Sequence, residues 1–339
     1  MALAYENVEP ASLAFWNKSR PIQALQSRAF AISCLRVRQL SHQNLPIKLH
    51  KFAAVKRLMR TLHAEEPKVA VTSTRPLLRW AGSKRKLLPR LLNQCPARFN
   101  RYFEPFAGSA CLFFSLAPKD SVLGDFNSAL IGTYKTVKRY PHALFKELCT
   151  YPINQEFYYD LRSKNPLHLT RLQSAARFIY LNRLCFNGVY RTNREGHFNV
   201  PFGSKTGHLP TAQEILSTAH ALRTAELQVG DFEDTISCAK RGDFVYMDPP
   251  YASSRYRGEY GYGAFSSCDV GRLLDAALHL DKRAVVFLIS YKADDEVSVK
   301  FSSFHQARIS VHRHVAGFAG FRGKTTELLI SNRPFKGEN

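Results

Sequence analysis

The sequence predicts an α/β protein built on a mostly parallel sheet. From Arg75 onwards, short apolar runs alternate with longer segments of helical periodicity, which is the pattern of βαβ units. The composition, 45% hydrophobic and 22% charged in a chain of 339 residues, is that of a globular protein that buries a core. The strand rhythm lapses between residues 151 and 225, which indicates an insertion in the α/β frame.

Seven apolar runs are predicted to form the sheet: Tyr102–Phe106, Val122–Gly124, Leu227–Val229, Phe244–Met247, Ala284–Ser290, Ile309–His314 and Glu327–Ser331. They divide the chain into a basic extension (1–74), a first sheet segment (75–150), the insert (151–225) and a second sheet segment (226–335). The insert is helical at first (SAARFIYLNRLCFNG) and then polar and loop-like (RTNREGHFNVPFGSKTG).

The charge of the chain points to a polyanionic partner. Lys and Arg number 48 against 27 Asp and Glu, a net charge of +21, and nucleic acid is the commonest partner of so basic a protein. The alternative is a merely basic, soluble surface. Residues 1–74 carry 11 Lys/Arg and 4 Glu. This extension is open to several interpretations: an organelle transit peptide, an accessory DNA-contacting helix, a poorly ordered tail or a start site placed too early.

Two classes of site are not expected. The seven cysteines are scattered with no CxxC pair, which fits reduced thiols in a cytosolic chain better than zinc ligands or a disulfide framework. No apolar run approaches the roughly 20 residues that a membrane span needs. We therefore expect neither a metal nor a membrane.

The turn after the first expected strand has the composition of a ligand-binding loop. In YFEPFAGSACLFF a strand runs into an acid and a proline, then a turn of small residues, then an apolar helix. In the first βα crossover of a doubly wound sheet, small residues admit nucleotide-like ligands to the backbone.

Two further features favour an adenosine-containing cofactor. Asp125 stands 17 residues after Gly108, just beyond the second expected strand, where an acid suits hydrogen bonding to a ribose diol. The alternative role for Asp125 is a helix N-cap. Upstream, RWAGSK places Trp80 and Lys84 beside a flexible turn, an aromatic plane and a charge next to the same loop.

The stretch FVYMDPPYASS ends a strand on a rigid polar turn, because two consecutive prolines cannot donate ladder hydrogen bonds. The Asp248 carboxylate and the Pro249 carbonyl can each accept an N–H from an exocyclic amine on a flat ring. The nitrogen lone pair is then directed out of the ring plane, towards a methyl group, while Tyr251 offers a face for stacking. A base inside a duplex cannot reach such a site and must be flipped out. The alternative is a strand terminator with a capping Asp.

Five motifs resemble one family in content and order: RWAGSK, EPFAGSA, GDFNSAL, FIYLNRLCFNGVYRTNREGHFNVPFG and YMDPPY. They are similar to those of the Dam-type DNA adenine-N6 methyltransferases (D12 class, DPPY motif), over roughly Arg75 to Arg333. The resemblance implies a Rossmann-like, S-adenosylmethionine-dependent methyltransferase sheet with an inserted, mainly helical target-recognition domain. S-adenosyl-L-methionine would be the methyl donor and double-stranded DNA the partner.

The resemblance also implies roles for single residues. Catalysis is expected from Asp248, Pro249, Pro250 and Tyr251, and cofactor binding from Trp80, Lys84, Glu104, Pro105, Phe106, Gly108, Asp125, Asp231, Phe232 and Asp248. One position departs from the family pattern Phe-x-Gly-x-Gly, because Ala110 stands where the last glycine is usual. An alanine methyl is tolerated there if the backbone φ is negative.

The insert suits DNA recognition. Arg183, Arg191, Asn193 and Asn199 are donors suited to phosphates and guanine edges, and Phe186 could fill the gap left by a flipped base. The resemblance assigns the outer guanines of GATC to Arg79 and Arg191 and the thymine to Val189 and Pro201, with Asn187 in the same motif. The expected target is the adenine of GATC or of a site with an ATC-like core. A loop with Arg255 and Arg257 is expected to order on DNA, unless it is simply a solvated charged loop.

Two rival functions stay open at the level of sequence. One keeps the fold and changes the nucleophile to cytosine N4 or to the amino group of an RNA base. The other is a non-catalytic DNA-binding relative, which only Ala110 supports. The intact Asp-Pro-Pro-Tyr tetrad favours an enzyme, expected to be a cytoplasmic, nucleoid-associated monomer.

Overall fold

The computed structural model describes residues 74–193, 195–204, 207–251, 265–313 and 323–337. The extension over residues 1–73 and the loop that carries Arg255 and Arg257 lie outside these ranges, so the expectations for them stay predictions. In the described ranges no helix is both long enough and apolar enough to span a membrane. No group of three or more His, Cys, Asp or Glu in those ranges is placed to hold a metal ion.

One seven-stranded sheet organises these residues, in the order β3-β2-β1-β4-β5-β7-β6. The strands are β1 (Tyr102–Glu104), β2 (Ser121–Asp125), β3 (Ala225–Val229), β4 (Phe244–Met247), β5 (Val286–Lys292), β6 (His305–Arg313) and β7 (Gly323–Ser331). Strands β1 to β5 pair in parallel, whereas β7 runs antiparallel to both β5 and β6. The mostly parallel α/β sheet predicted from the sequence is confirmed.

All seven predicted strands are present, with shifted ends. Strand β4 has the predicted bounds, and β1 stops before Pro105, which lacks the N–H that a further ladder bond would need. The central strands are buried on both faces, because one hydrophobic core packs on each face of the sheet. Phe244 and Tyr246 pack into the core on one face of the sheet, and Val245 and Met247 pack into the core on the other.

The helices that the structure describes are α1 (Leu88–Gln94), α2 (Cys111–Leu116), α3 (Ser128–Arg139), α4 (Pro141–Cys149), α5 (Gln155–Ser163), α6 (Arg171–Leu184), α7 (Ala212–Ala221), α8 (Phe232–Ile236), α9 (Ser267–Lys282) and α10 (Asp295–Lys300). Helices α3 to α7 all lie between β2 and β3 in the chain, and the predicted insert falls within this excursion. Helix α6 begins at a capping box in which Thr170 and Gln173 bond each other's backbone N–H.

The strand order fixes where a ligand can bind. From β1 the chain proceeds through β2 to β3 on one side, and β4 then returns to the other side of β1. The connections that leave the carboxyl ends of β1 and β4 therefore diverge and open a crevice, which is where doubly wound sheets bind their ligands. Glu104 ends β1, and Asp248 directly follows β4.

Candidate active site

The loop after β1 is shaped by close contact with Trp80. Gly108 has φ +47°, and a Cβ added to it would lie 2.7 Å from Trp80 Cδ1, so only glycine admits the indole ring there. The Gly108 carbonyl accepts a hydrogen bond of 2.9 Å from the Tyr134 hydroxyl of α3. Trp80 therefore packs directly on the predicted cofactor loop.

Ala110 has a positive backbone φ, whereas the sequence analysis allowed for an alanine here only with a negative φ. Its φ is +50° and its ψ +40°, the left-handed region, whereas tolerance of the alanine was expected from a negative φ. Left-handed backbone costs an L-residue roughly 1–2 kcal/mol. Ala110 directly precedes α2, and its carbonyl accepts the N–H of Phe114, the first bond of that helix. The condition of a negative φ is therefore not met: the strain is present, and the buried start of α2 maintains it.

Asp125 lies at the end of β2 and braces the same loop. Its Oδ2 accepts the N–H of Gly108 at 3.0 Å and its Oδ1 the N–H of Asn127 at 2.9 Å. Burial raises the pKa of Asp125 to about 6, although both backbone donors oppose the rise. The alternative role as a helix cap belongs instead to Asn127, whose Oδ1 accepts the N–H of Leu130 in α3.

Glu104 places a second acid under the loop. Its side chain is almost fully enclosed, with 3% of the residue exposed, and Tyr102 donates its hydroxyl to Oε2 at 2.8 Å. Burial raises the pKa of Glu104 to about 8; the Tyr102 hydrogen bond opposes that rise and the charge of Asp248 adds to it. A cationic ligand bound in the crevice would lower both raised pKa values and favour the charged carboxylates, so the two acids suit a cation.

An aromatic wall stands on the far side of this loop. Phe106 stacks on Phe232 with ring centroids 5.2 Å apart, and the Arg272 guanidinium covers Phe232 at 4.8 Å. Asp231 begins α8 and pairs with Arg272 at 2.7 Å. Phe126, which directly follows Asp125 and is 71% exposed, was not singled out from the sequence. An aromatic residue directly after the expected ribose acid is the signal that could have identified Phe126 as part of the cleft wall.

The Asp248 carboxylate is held on one side only. Oδ1 receives the Lys84 ammonium at 2.6 Å and the Ser290 hydroxyl at 3.0 Å, and Tyr246 in turn hydrogen-bonds Ser290 at 2.8 Å. Among the described residues no donor contacts Oδ2. Burial raises the pKa of Asp248, and the Lys84 charge opposes that rise. Burial alone would lower the pKa of Lys84, but the neighbouring Asp248 and Glu327 outweigh it, so Lys84 stays protonated.

Tyr251 is fixed by an acid that the sequence analysis missed. Its hydroxyl donates to both carboxylate oxygens of Glu327 at 2.9 Å and accepts from Lys84 Nζ at 3.3 Å. Its ring meets Tyr291 edge to face at 5.3 Å. Ser290 directly follows the apolar run VFLI of β5, and Glu327 directly precedes the apolar run LLI of β7. A polar residue bordering a buried apolar run was the available signal.

A single cleft of about 1820 Å³ brings these groups together. Its walls include every residue predicted for catalysis or cofactor binding: Trp80, Lys84, Glu104, Pro105, Phe106, Gly108, Asp125, Asp231, Phe232, Asp248, Pro249, Pro250 and Tyr251. The cleft therefore joins the predicted cofactor loop to the tetrad without interruption.

The polar end of the insert forms a hairpin whose turn and returning strand line the same cleft. Thr192 pairs antiparallel with Phe198, and Arg191 donates from Nε to Asn199 Oδ1 at 2.9 Å. Asn193 closes the turn, because its Oδ1 accepts the N–H groups of Glu195 and His197. Asn193 shapes the turn and Asn199 orients the Arg191 guanidinium, so the exposed Arg191 is the foremost candidate on the hairpin for reading a base.

The other residues predicted to contact DNA differ in their exposure and in their contacts. Phe186 is 44% exposed, and its N–H bonds the carbonyl of the exposed Pro201 at 2.9 Å. Asn187 is exposed and Val189 half-buried. The Arg79 side chain lies over Gly188 and reaches Gly207.

Arg183 does not lie at the surface with them. Its side chain is only 13% exposed and pairs with Glu214 of α7 at 3.9 Å. A helix turns successive side chains by about 100°, and at this position the guanidinium faces α7. The placement argues against a direct contact of Arg183 with DNA.

The fold and the cleft define a doubly wound α/β protein whose ligand site lies at the carboxyl ends of its parallel strands. The family model of the "D12 class N6 adenine-specific DNA methyltransferase" matches residues 80–315. The type II methyltransferase M1.LlaDCHI of Lactococcus lactis subsp. cremoris is 35% identical over 270 residues, which are 76% of this chain and 95% of that protein. A DNA adenine methylase of Salmonella typhi is 31% identical over 272 residues, 77% of this chain and 96% of that protein. The chain belongs to the D12 class of N6 adenine-specific DNA methyltransferases.

Membership of this family decides between the rival functions. The protein is an enzyme, and its substrate base is adenine in DNA, so cytosine-N4, RNA and non-catalytic alternatives are set aside. A precorrin-6Y C5,15-methyltransferase from Geobacter metallireducens matches 78% of this chain and 98% of its own at a TM-score of 0.33 and 8% identity, a likeness too low to support an argument.

The family implies S-adenosylmethionine as the methyl donor, and the residues of the cleft fit that molecule. It carries an ammonium and a sulfonium, which suit the enclosed acid Glu104. It carries a ribose diol, which suits Asp125, and a flat purine, which suits the wall of Phe106 and Phe232.

Proposed function

We propose that the enzyme transfers a methyl group from S-adenosylmethionine to N6 of an adenine flipped out of double-stranded DNA, with Asp248 to Tyr251 as the catalytic tetrad. The observation that carries this proposal is the one-sided hold on Asp248. Lys84 and Ser290 engage Oδ1 and leave Oδ2 for the amine of the substrate. The neighbouring Pro249 carbonyl is the second acceptor for that amine.

In the proposed mechanism the protein supplies alignment and charge. Asp248 Oδ2 and the Pro249 carbonyl accept the two N–H groups of the adenine amine and hold its lone pair out of the ring plane. Positive charge that develops on the nitrogen faces the Asp248 carboxyl group, whose charged form Lys84 stabilises. Pro249 and Pro250 prevent these acceptors from relaxing, and Tyr251, held by Glu327, stacks on the base.

The cofactor residues have separate tasks in this proposal. Glu104 would hold the cationic methionine moiety, Asp125 the ribose diol and Phe106 with Phe232 the purine. The bound cofactor supplies an activated methyl group on a sulfonium. Lys84 was predicted to contact the cofactor; its observed partner at 2.6 Å is Asp248, so we assign it to the carboxylate.

Methyl transfer and its dependence on Asp248 are tested together. The protein is incubated with labelled donor and duplex DNA, and the modified base is identified by mass spectrometry. Asp248→Ala should abolish transfer and keep duplex binding, because affinity comes mainly from the basic surface. Asp295→Ala, an exposed acid on α10, is the matched control and should retain full activity. Substantial turnover by Asp248→Ala would exclude the assigned role.

We propose GATC, or a close relative with an ATC-like core, as the target. Arg191 is exposed on the hairpin and Arg79 lies at its base, and both can contact guanine O6 and N7. Phe186 and Pro201 form an exposed pair beside them, suited to the gap left by a flipped base and to a thymine methyl. Val189 is a small contact at the thymine, so discrimination there is expected to be relaxed. Action as a monomer and a cytoplasmic, nucleoid-associated location remain predictions.

The target is tested by single-molecule sequencing of modified plasmid, together with digestion by nucleases that are blocked by or require GATC methylation. Arg191→Ala should lose roughly 1–3 kcal/mol of discrimination at one guanine, the usual contribution of a bidentate contact. Modified adenines in a motif without ATC would refute the assignment of the base-reading residues and leave the chemistry at Asp248 standing.

A further inference from the structure

Tyr190 connects two sites that are distinct in function, the base-reading hairpin and the cofactor loop. It stands directly before the base-reading Arg191, at the start of the hairpin. Its ring stacks on Trp80, with centroids 5.3 Å apart and an interplanar angle of 20°. Trp80 in turn lies on Gly108 of the cofactor loop, so a single ring separates the hairpin from that loop.

The contact is part of a packed cluster. Phe178 of α6 touches both Trp80 and Tyr190, with centroids at 6.4 and 5.2 Å, and Phe198 of the returning hairpin strand packs on Tyr190 at 5.6 Å. Aromatic rings in such a cluster change position together because interiors are close-packed. The position of the hairpin and the position of Trp80 therefore depend on each other.

We propose that Tyr190 is a positioning residue that couples DNA recognition to cofactor binding, so that each ligand raises the affinity of the protein for the other. The proposal rests on the proposed function, since it takes Arg191 as a DNA contact and the Gly108 loop as a cofactor contact. Arg191 is exposed in the free protein, and seating it on DNA restricts the adjacent backbone. The first ligand to bind bears the entropic cost of ordering Tyr190 and Trp80, so the second ligand binds more tightly. This is positive cooperativity.

The test measures a coupling factor. The dissociation constant of S-adenosylhomocysteine, which cannot donate a methyl group, is determined with and without a duplex that carries the site found by sequencing. Coupling between sites typically spans about 5- to 150-fold, and we expect at least about fivefold. The dissociation constant of the duplex, measured with and without S-adenosylhomocysteine, must change by the same factor, because coupling is reciprocal.

Three variants distinguish positioning from general support of the fold. Tyr190→Leu removes the ring and should bring the coupling factor close to 1. Tyr190→Phe keeps the ring on Trp80 and should retain most of the coupling. The matched control is Tyr151→Leu, a half-buried tyrosine of the same insert whose ring contacts Phe157 and Tyr180 and not Trp80. It should leave the factor unchanged.

Trp80 gives a direct optical signature. The chain has two tryptophans, Trp16 and Trp80, so a Trp16→Phe background isolates the emission of Trp80. Addition of the target duplex alone should change that emission, and Tyr190→Leu should reduce the change by more than Tyr190→Phe does. The readout needs no cofactor and no activity.

The outcomes separate the inference from the proposed function. Coupling at the wild-type level in Tyr190→Leu, no coupling in the wild type, or equal loss in Tyr190→Phe and Tyr190→Leu would each overturn the role of the ring. If S-adenosylhomocysteine does not bind at all, the proposed cofactor is at fault. If it binds and methylation proceeds while DNA leaves its affinity unchanged, only the inference about Tyr190 fails.

Discussion

Glu104→Gln should make the stability of this protein less dependent on pH. Glutamine has nearly the same shape as the neutral acid and can still accept the Tyr102 hydroxyl, which bonds Glu104 at 2.8 Å. The pKa of Glu104 is raised by burial from an ordinary 4.5 to about 8, so at neutral pH the folded protein retains a proton that the unfolded chain has lost. Stability from such a group is complete below pH 4.5 and declines as pH rises towards 8.

The size of the effect follows from these two pKa values. Within the window the free energy of unfolding falls by at most about 1.4 kcal/mol per pH unit, which amounts to about 2 kcal/mol between pH 6 and pH 8. Glu104→Gln carries no ionisable group at this position and therefore lacks this part of the pH-dependent loss of stability. Asp125 and Asp248 are present in both proteins, so their pH dependence largely cancels in the difference.

Urea unfolding at pH 6 and pH 8 measures the effect. The wild type should lose about 2 kcal/mol more than Glu104→Gln between the two pH values. Glu156→Gln, an exposed acid of α5, is the control and should behave as the wild type does. Equal losses in the wild type and in Glu104→Gln would show that Glu104 is ionised in the folded protein, and the reasoning from burial would be refuted.

Three further predictions concern the loop and the charge. Gly108→Ala should lower the free energy of unfolding by about 2 kcal/mol or more and weaken S-adenosylhomocysteine binding, because its Cβ would stand 2.7 Å from Trp80 at φ +47°. Calorimetry measures both effects. The control Gly271→Ala, with open space around it, should instead raise the free energy of unfolding by about 0.5–1 kcal/mol. Ala110→Gly should change the free energy of unfolding by less than about 1 kcal/mol, because relief of backbone strain offsets the loss of the buried methyl group. The control Ala176→Gly, within α6, should lower it by about 2 kcal/mol in urea unfolding. Binding to nonspecific duplex should weaken steeply with salt, and a flat response in a titration would mean that the net charge of +21 serves another partner.

The sequence was sufficient to predict the sheet and the residues at the carboxyl ends of its central strands. Each of these is a local pattern: an apolar run, a turn of small residues, an acid or a proline at a strand end. Parallel strands then bring Glu104, Asp125 and Asp248 to one edge without further information. Local patterns are therefore enough to bring the predicted cofactor residues and the tetrad into one cleft.

The residues that support the tetrad could not be found in that way. Glu327 reaches the site because β7 inserts antiparallel between β5 and β6, which sets Glu327 opposite Lys292 at the carboxyl end of β5. Ser290 reaches Asp248 only through the register of β4 and β5. Strand order and register are properties of the whole fold, and no short stretch of sequence contains them.

Single-residue geometry was equally beyond local patterns. The sign of φ at Ala110 depends on how the loop meets α2, and the packed loop selects the strained value. The inward orientation of Arg183 depends on Glu214 of α7, which belongs to a later helix of the insert. In both cases the tertiary environment overrides the preference of the isolated residue.

Lys84 shows why these supporting contacts matter for function. Its ammonium touches Asp248 at 2.6 Å and Tyr251 at 3.3 Å and lies 4.0 Å from Glu327, so one cation joins three distant segments of chain. Removing one partner of a buried ion pair leaves an uncompensated charge, which costs several kcal/mol. The two carboxylates and the ammonium are therefore stable only together. Glu327 on β7 holds Tyr251 and lies beside Lys84, and Lys84 stabilises the charged form of Asp248. Substitutions at Glu327 should therefore affect turnover although Glu327 itself does not need to touch the substrate.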